Sequence, residues 1–465
     1  MKRSFIISIT NGVVIVLYSV LSGGCKKFVS IDPPRNQIVT SEVFSDSANA
    51  TAAVVGIYVK MMNPSTSFNF GNGGITLYTG LSADELNATN GSPDITEFVT
   101  NSISATNEIN RGLWTSAYPT IYQINECIDQ LTSSPLGASI RNRLLGEVKF
   151  MRAYFYFNLI QLYGDVPLVL STAYTENASM PRTSISTIAS QIIKDLLEAE
   201  QLLLATYVSA GRVRPNKFTA TALLARVYLY QQQWQKAEDA ASTVINAGPY
   251  TLESDLNTVF LSSSKEAIFQ LQPVQAGYGT AEGAIFNPTT SASSLPKYVL
   301  SPYLLNSFEA GDIRKTKWVK VKVVNGNSYA YPFKYKISTE TVSTPTESYT
   351  LLRLGEQYLI RAEARLQLNK PLQALDDLNA IRLRAGLTGT SSSDPVFIAS
   401  AIYQERRVEF FAECGHRWYD LKRWNMASPV LAPVKAPNWQ TTDQLYPIPF
   451  AEMQTNPFLT QNPGY

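Results

Sequence analysis

Two pairs of alanines twelve residues apart constrain this chain more than any other feature. Over residues 216–230, Phe218, Ala222, Ala225 and Leu229 recur at three- and four-residue spacing, the pattern of one helical face. A polar break at 231–233 leads into a second helix over 234–247, which Gly248 and Pro249 stop. Ala225 and Ala237 then fall where two antiparallel helices must approach closely, with Tyr228 filling the space beside them. Residues 358–368, a turn at Asn369 and Lys370, and residues 371–384 repeat the plan with Ala362 and Ala374. Pro371 at the first helical position and Gly386 past the end are the expected asymmetry of a helix.

Each pair resembles one tetratricopeptide unit. Two looser pairs precede them. Residues 140–163, with Ala153 and Tyr156 in the corresponding places and Gly164 and Pro167 as the stop, partner 184–204. Residues 46–61 partner 114–131 across a long insertion. Four pairs predict a right-handed solenoid in which each unit buries its apolar face on the next. Two segments break the helical pattern. Residues 64–110 are rich in Asn, Gly, Ser and Thr, and within 251–348 an alternating run from Trp318 to Val324, an Asn325-Gly326 turn and a second run from Ser328 to Phe333 predict a hairpin. Insertions of this length in a compact protein are usually functional. The expected fold is therefore mainly α, a tetratricopeptide-like scaffold of four helix pairs with an irregular, partly β ligand-binding subdomain.

The chain starts with an address. Lys2 and Arg3, an apolar run from Phe5 to Val20, and Ser22, Gly23 and Gly24 before Cys25 predict a secretory signal over 1–24. The run is broken by Ser8, Thr10, Asn11 and Gly12 and is shorter than the ~20 apolar residues of a spanning helix. Cys25 resembles a bacterial lipobox cysteine, the site of lipidation, although Leu21 stands four residues before it where the strict pattern has an aliphatic residue three before. Residues 25–39, with Asp32-Pro33-Pro34-Arg35, read as a tether to a body over 40–465. Loss of the signal removes Lys2 and Arg3 from 39 basic residues against 37 acidic ones, which leaves the mature chain near neutrality.

That scattered, balanced charge excludes nucleic acid as a partner, since phosphate neutralisation needs a basic patch. One histidine, His416, and three cysteines exclude multi-histidine and four-cysteine metal sites and a disulfide scaffold. Cys127 and Cys414 are expected as buried free thiols, and neither a metal nor a cofactor is expected. No segment carries a D-x-D-x-D-G calcium loop. Aromatic residues are plentiful instead, with 25 Tyr, 20 Phe and 6 Trp, which favours binding by stacking over catalysis.

Four motifs, in order, carry a family resemblance. They are Ser82-Ala83-Asp84-Glu85; Phe150-Met151-Arg152-Ala153 continuing to Tyr163-Gly164-Asp165-Val166-Pro167; the run from Glu405 through Gly415, Arg417, Trp418 and Asp420 to Trp424; and the ending from Asn456-Pro457 to Pro463-Gly464-Tyr465. Together with the lipobox-like start, and with a C-terminal signature spanning 402–465, the chain resembles the SusD/RagB family of outer-membrane nutrient-binding lipoproteins. The resemblance implies a tetratricopeptide scaffold that sits as a lid on a SusC-like TonB-dependent transporter. It also implies a lipid-anchored, surface-exposed protein of the outer membrane that captures a glycan, or in some members a peptide, for import.

The signature itself has a structural reading. Glu405, Arg406, Arg407, Glu409 and Glu413 are spaced for Glu–Arg pairs on one helix, and Arg417, Trp418, Asp420, Arg423 and Trp424 are suited to stack and pair against the preceding repeat. His416 is expected to be structural. A glycoside hydrolase needs two facing carboxylates, and no acidic residue stands in a hydrolase-like motif, so no enzyme and no catalytic residue is expected. Ligand platforms are expected in the insertions, at Phe70, Tyr78, Tyr278 and Trp318, with Asn72 and Asp84 as polar neighbours. Asn87, Tyr298, Tyr303, Tyr329 and Tyr331 lie in the same segments.

Overall fold

Helix caps and buried small residues account for most of the architecture seen in a computed structural model, which describes residues 40–62, 69–247, 249–275, 277–339 and 345–465. The signal over 1–24, Cys25, the tether over 25–39 and Phe68 lie outside the described residues. Helix α1, Ser47–Met62, starts where the Asp46 carboxylate accepts from the backbone N–H groups of Ala48 and Asn49, both at 2.9 Å. It packs on the helix over Glu108–Ser133, and Val54, Ile57, Tyr58 and Met61 on it are buried.

The segment 64–110 is not the non-helical insertion its composition predicts. It holds α2, Gly74–Ser82, and α3, Pro93–Thr100. Helix α3 has ordinary punctuation, with Ser92 as N-cap, proline at the start and Asn101 left-handed (φ 56°) at the end. Helix α4, Glu108–Ser133, begins earlier than 114 because the Asn107 side chain accepts from the Asn110 N–H at 2.9 Å. There follow α5, Ala138–Tyr163; α6, Ile185–Leu202; α7, Lys217–Tyr230; α8, Trp234–Asn246; α9, Ala281–Phe286; α10, Leu354–Gln367; α11, Pro371–Arg384; α12, Pro395–Glu409; and α13, His416–Arg423.

These helices stack in succession. Helix α4 packs on α5, α5 on α6, α6 on α7, α7 on α8, α8 on α10, α10 on α11 and α11 on α12. Ala225, Ala237, Ala362 and Ala374 are all fully buried, so a larger side chain at any of them would push neighbouring helices apart. A second apolar cluster, from Leu359 to Phe410, closes the C-terminal end of the stack.

Among the described residues six short strands fill the irregular part: β1, Leu86–Ala88; β2, Ala267–Leu271; β3, Tyr298–Leu300; β4, Val319–Val324; β5, Asn327–Pro332; and β6, Tyr349–Arg353. All pairings are antiparallel. Strands β4 and β5 form the hairpin that the alternation predicts, with Asn325 (φ 51°) and Gly326 (φ 77°) both left-handed in the turn. Strand β2 pairs with β6, and β1 pairs with β3 in the register Asn87 opposite Val299. That last pairing sews the first insertion to the second.

Glu405, Arg406, Arg407, Glu409 and Glu413 do not pair with one another along α12. They reach across the fold instead. Arg314 is fully buried and donates to Asp312, to Glu405 at 2.6 Å and to Glu409 at 2.9 Å. Arg353 donates to Glu266 at 2.9 Å, Glu409 at 2.5 Å and Glu413 at 2.8 Å, and Arg384 joins Glu266 and Glu409. A second network runs from Arg406 to Asp420 (2.7 Å), on to Arg423 (2.7 Å) and then to Glu363 of α10 (2.5 Å), with Trp424 stacked on Tyr403 at 3.9 Å. Such networks specify one arrangement of helices more than they add stability, because desolvation offsets most of the attraction. His416 lies buried against the Phe410 ring at 4.7 Å, and burial followed by four surrounding cations holds its imidazole well below the usual range, hence neutral. Cys127 and Cys414 are free and buried, and burial pushes both thiols up to about 12.

Candidate functional site

The β1–β3 ladder and the β4–β5 hairpin enclose a cleft in the irregular part. It has a volume of about 600 Å³ and an apolar floor of Leu300, Leu305, Val319 and Val321. Polar groups line its rim: Asn87 from β1, Asn306, Ser328 and Tyr329 from the hairpin, and Lys315, whose ammonium donates to the Leu305 carbonyl at 3.1 Å. A second cleft of about 240 Å³ lies on the other side of Asn87 and is lined by Asp84, Ser301, Tyr303, Lys435 and Asn438. Asn87 borders both. The side-chain polar atoms of Asn87, Asn306, Tyr303 and Tyr329 make no hydrogen bond among the described residues, and Tyr303 is 50% exposed. Free amides and phenols beside an apolar floor are what a polyhydroxylated ligand with apolar faces requires.

The floor beneath this groove is rigidly held. Ser301 caps the short helix that carries Tyr303, its backbone N–H donates to the Glu85 carbonyl at 2.8 Å and its hydroxyl donates to the Asp84 carbonyl. The Asp84 carboxylate receives Arg407 at 2.6 Å and Arg417 at 2.7 and 2.9 Å. Burial pushes the Asp84 carboxyl up, but the Arg417 and Arg407 guanidiniums outweigh it and hold it below the ordinary range. Glu85 behaves oppositely: burial, then the neighbouring Asp84 charge, raises it to about 8, so it is protonated at neutral pH. Lys435 donates to the Leu81 and Val99 carbonyls at 2.6 and 2.8 Å, and burial lowers it to about 8.

The six expected ligand residues separate into three environments. Phe70, Tyr78 and Trp318 are core residues, which corrects their reading as platforms. Phe70 stacks on Phe155 at 5.4 Å, Tyr78 lies against Phe98 at 5.1 Å, and Trp318 is 0% exposed with its indole N–H donating to the Leu256 carbonyl at 2.9 Å. The insertions have cores of their own, and their largest aromatics fill them. Asp84 is buried and spent on its two arginines, so it supports the groove from below. Tyr278 and Asn72 do meet, in a separate cleft of about 180 Å³ that Val274 and Thr280 also line. Tyr278 there is 46% exposed, and Asn72 Oδ1 accepts from the Asn69 backbone N–H at 2.9 Å.

Asn306 and Lys315 were not among the expected residues. Tyr303 had a legible signal, since Ser301-Pro302 is a helix start that places the next residue on an exposed first turn. Among the described residues no group of three or more His, Cys, Asp or Glu side chains is arranged to hold a metal ion, and no described helix is long and apolar enough to cross a membrane.

Fold and groove together define a helical scaffold carrying an irregular binding face. Residues 310–465 match the SusD family, and residues 45–229 match a family described as starch-binding associating with outer membrane. By these two matches the chain is SusD-like. SusD-like protein P25 of Formosa agariphila is 25% identical, with 97% of this chain and 98% of that protein aligned. Among solved structures, a SusD superfamily protein from Bacteroides vulgatus superposes with a TM-score of 0.79 at 22% identity, covering 91% of this chain and all of that one. A laminarin-binding SusD-like protein superposes at 0.74 with 25% identity, covering 90% of this chain and 99% of that one. The family is one of binding proteins rather than catalysts.

Proposed function

We propose that this protein captures an oligosaccharide or polysaccharide chain in the groove around Asn87, Tyr303 and Tyr329 and passes it, uncleaved, to a SusC-like TonB-dependent transporter in the outer membrane. One observation carries the reading: the unpaired side chains of Asn87, Asn306 and Tyr329 converge on an apolar floor in a cleft whose volume lies within the roughly 300–1,000 Å³ of small-molecule sites, with Tyr303 in the neighbouring cleft that Asn87 also borders. A solved relative that binds laminarin and a matching family described as starch-binding support a glycan as the ligand. The lipobox-like Cys25 and the secretory signal over 1–24 support a lipid-anchored protein at the cell surface. Affinity electrophoresis through gels containing laminarin, starch and other polysaccharides tests the proposal, with product analysis of the same samples. Retardation without new reducing ends is expected; release of reducing ends, or free migration through every polysaccharide of a broad panel, contradicts it.

A further inference from the structure

A different cleft, of about 460 Å³, opens between the C-terminal ends of α5 and α7, helix α13 and the segment from Thr441 to Pro463. Its apolar walls are Ile160, Ile185, Leu445 and Pro463. Its charged lining is all of one sign, Lys422 and Arg423, with no carboxylate among the lining residues. Lys422 of α13 points its ammonium at the Gln161 carbonyl in the last turn of α5 and lies 5.5 Å from the Trp418 ring, and among the described residues no carboxylate pairs with it. Most basic side chains of the C-terminal signature have a carboxylate partner: Arg406 and Arg423 meet Asp420, and Arg407 and Arg417 meet Asp84. Burial draws the Lys422 ammonium down to about 7.

Two hydroxyls in the same lining are buried and lack a partner. The Tyr230 phenol, wedged between Phe157 at 5.1 Å and the Arg423 guanidinium at 5.1 Å, has none, and neither does Thr442 Oγ1. Arg423 adds positive field, although its own donors already serve Asp420 and Glu363. An ammonium and two unpartnered hydroxyls thus border one cavity whose lining holds no carboxylate, only the neutral amides of Gln161, Gln231 and Gln444. A buried donor without an acceptor is costly, and one oxyanion satisfies several such donors at once through charge-assisted bonds.

The geometry points to a second binding site here, for the anionic group of an acidic sugar, with Lys422 as the charge partner and Tyr230 and Thr442 as hydroxyl donors. The sugar identity rests on the glycan reading above; the anion preference rests on the cleft alone. The site shares no residue with the Asn87 groove.

Isothermal titration of the full chain with glucuronate, with glucose and with acetate distinguishes the cases. Glucuronate is expected to bind, glucose not to bind at this site, and acetate to bind more weakly than glucuronate. Lys422→Met is expected to weaken glucuronate binding about tenfold or more while retention on neutral polysaccharide stays unchanged. Tyr230→Phe, which deletes only an unpartnered hydroxyl and so leaves the fold intact, is expected to weaken it about three- to tenfold. Acetate binding as tightly as glucuronate keeps the anion site and overturns the sugar assignment. No glucuronate binding, or binding unchanged in Tyr230→Phe, overturns the site and leaves its donors to water. Tyr303→Ala separates the two proposals, since it is expected to impair neutral glycan retention and to leave glucuronate binding alone.

Discussion

Arg417 closes a two-pronged ion pair on Asp84 across 333 residues of chain, Nε to Oδ1 at 2.7 Å and Nη2 to Oδ2 at 2.9 Å. The contact fastens the C-terminal signature to the backbone that carries Asn87. Removing one member of a buried pair leaves the other uncompensated, so Asp84→Ala is expected to cost about 3–5 kcal/mol in urea unfolding. The pH dependence has a definite sign. With the folded carboxyl below its unfolded value of about 3.9, the stabilisation is present above that pH and is lost as pH falls through the lower folded value. The stability gap between wild type and Asp84→Asn should therefore be constant near neutrality and narrow below about pH 4. A gap that widens on acidification contradicts the assignment.

Glu85, one residue on, is expected to act in the opposite direction. Its folded carboxyl titrates near 8 and its unfolded one near about 4.3. The folded protein holds a proton that the unfolded chain has released, so this group's contribution falls as pH rises between the two values. Glu85→Gln should flatten that slope and gain on wild type from about pH 5 to about pH 8, measured by thermal unfolding across that range. Parallel curves for the two proteins would show that Glu85 is ionised in the fold.

Trp318 separates core from platform. With the indole fully buried and hydrogen-bonded to Leu256, Trp318→Ala is expected to lose about 3–5 kcal/mol of stability. Glycan retention should fall only in proportion to the unfolded fraction. A variant that is stable but fails to bind would return Trp318 to the ligand site.

These residues also mark where the sequence was legible. The mainly helical fold was, because N-caps such as Asn216 and stops such as Gly164 are local signals. Helix α2 was not: all nine of its residues are buried, so it has no polar face to generate a period, and Thr76, Thr79 and Ser82 give it the composition of a loop. Phe70, Tyr78 and Trp318 were misassigned because composition cannot tell a ligand platform from the core of an insertion. The groove was hidden for a topological reason. Asn87 meets the second insertion only through the β1–β3 pairing, and Tyr329 arrives on a hairpin packed against β3. The signature's charges were correctly read as structural, yet their partners lay on other elements, as Glu405 with Arg314 and Arg407 with Asp84 show.

Cys25 governs location. Cys25→Ala is expected to abolish lipidation and move the protein from the membrane fraction to the soluble fraction of cells, with the thermal stability of the body over 40–465 unchanged. Fractionation with detergent partitioning reads the outcome, and continued membrane retention argues against anchoring through this residue.

The groove itself is tested most directly by comparing binding of one retained polysaccharide, by isothermal titration, to wild type, the Asn87→Ala/Tyr303→Ala double variant and Tyr278→Ala. Tyr303 is half exposed and the Asn87 side chain has no protein partner, so the double variant should unfold at the wild-type temperature. Affinity is expected to drop at least about 3- to 10-fold in the double variant, the loss of one stacking face and one amide, and to stay unchanged in Tyr278→Ala. Full affinity in the double variant, with binding lost in Tyr278→Ala, would contradict the assignment and move the ligand to the cleft beside Asn72.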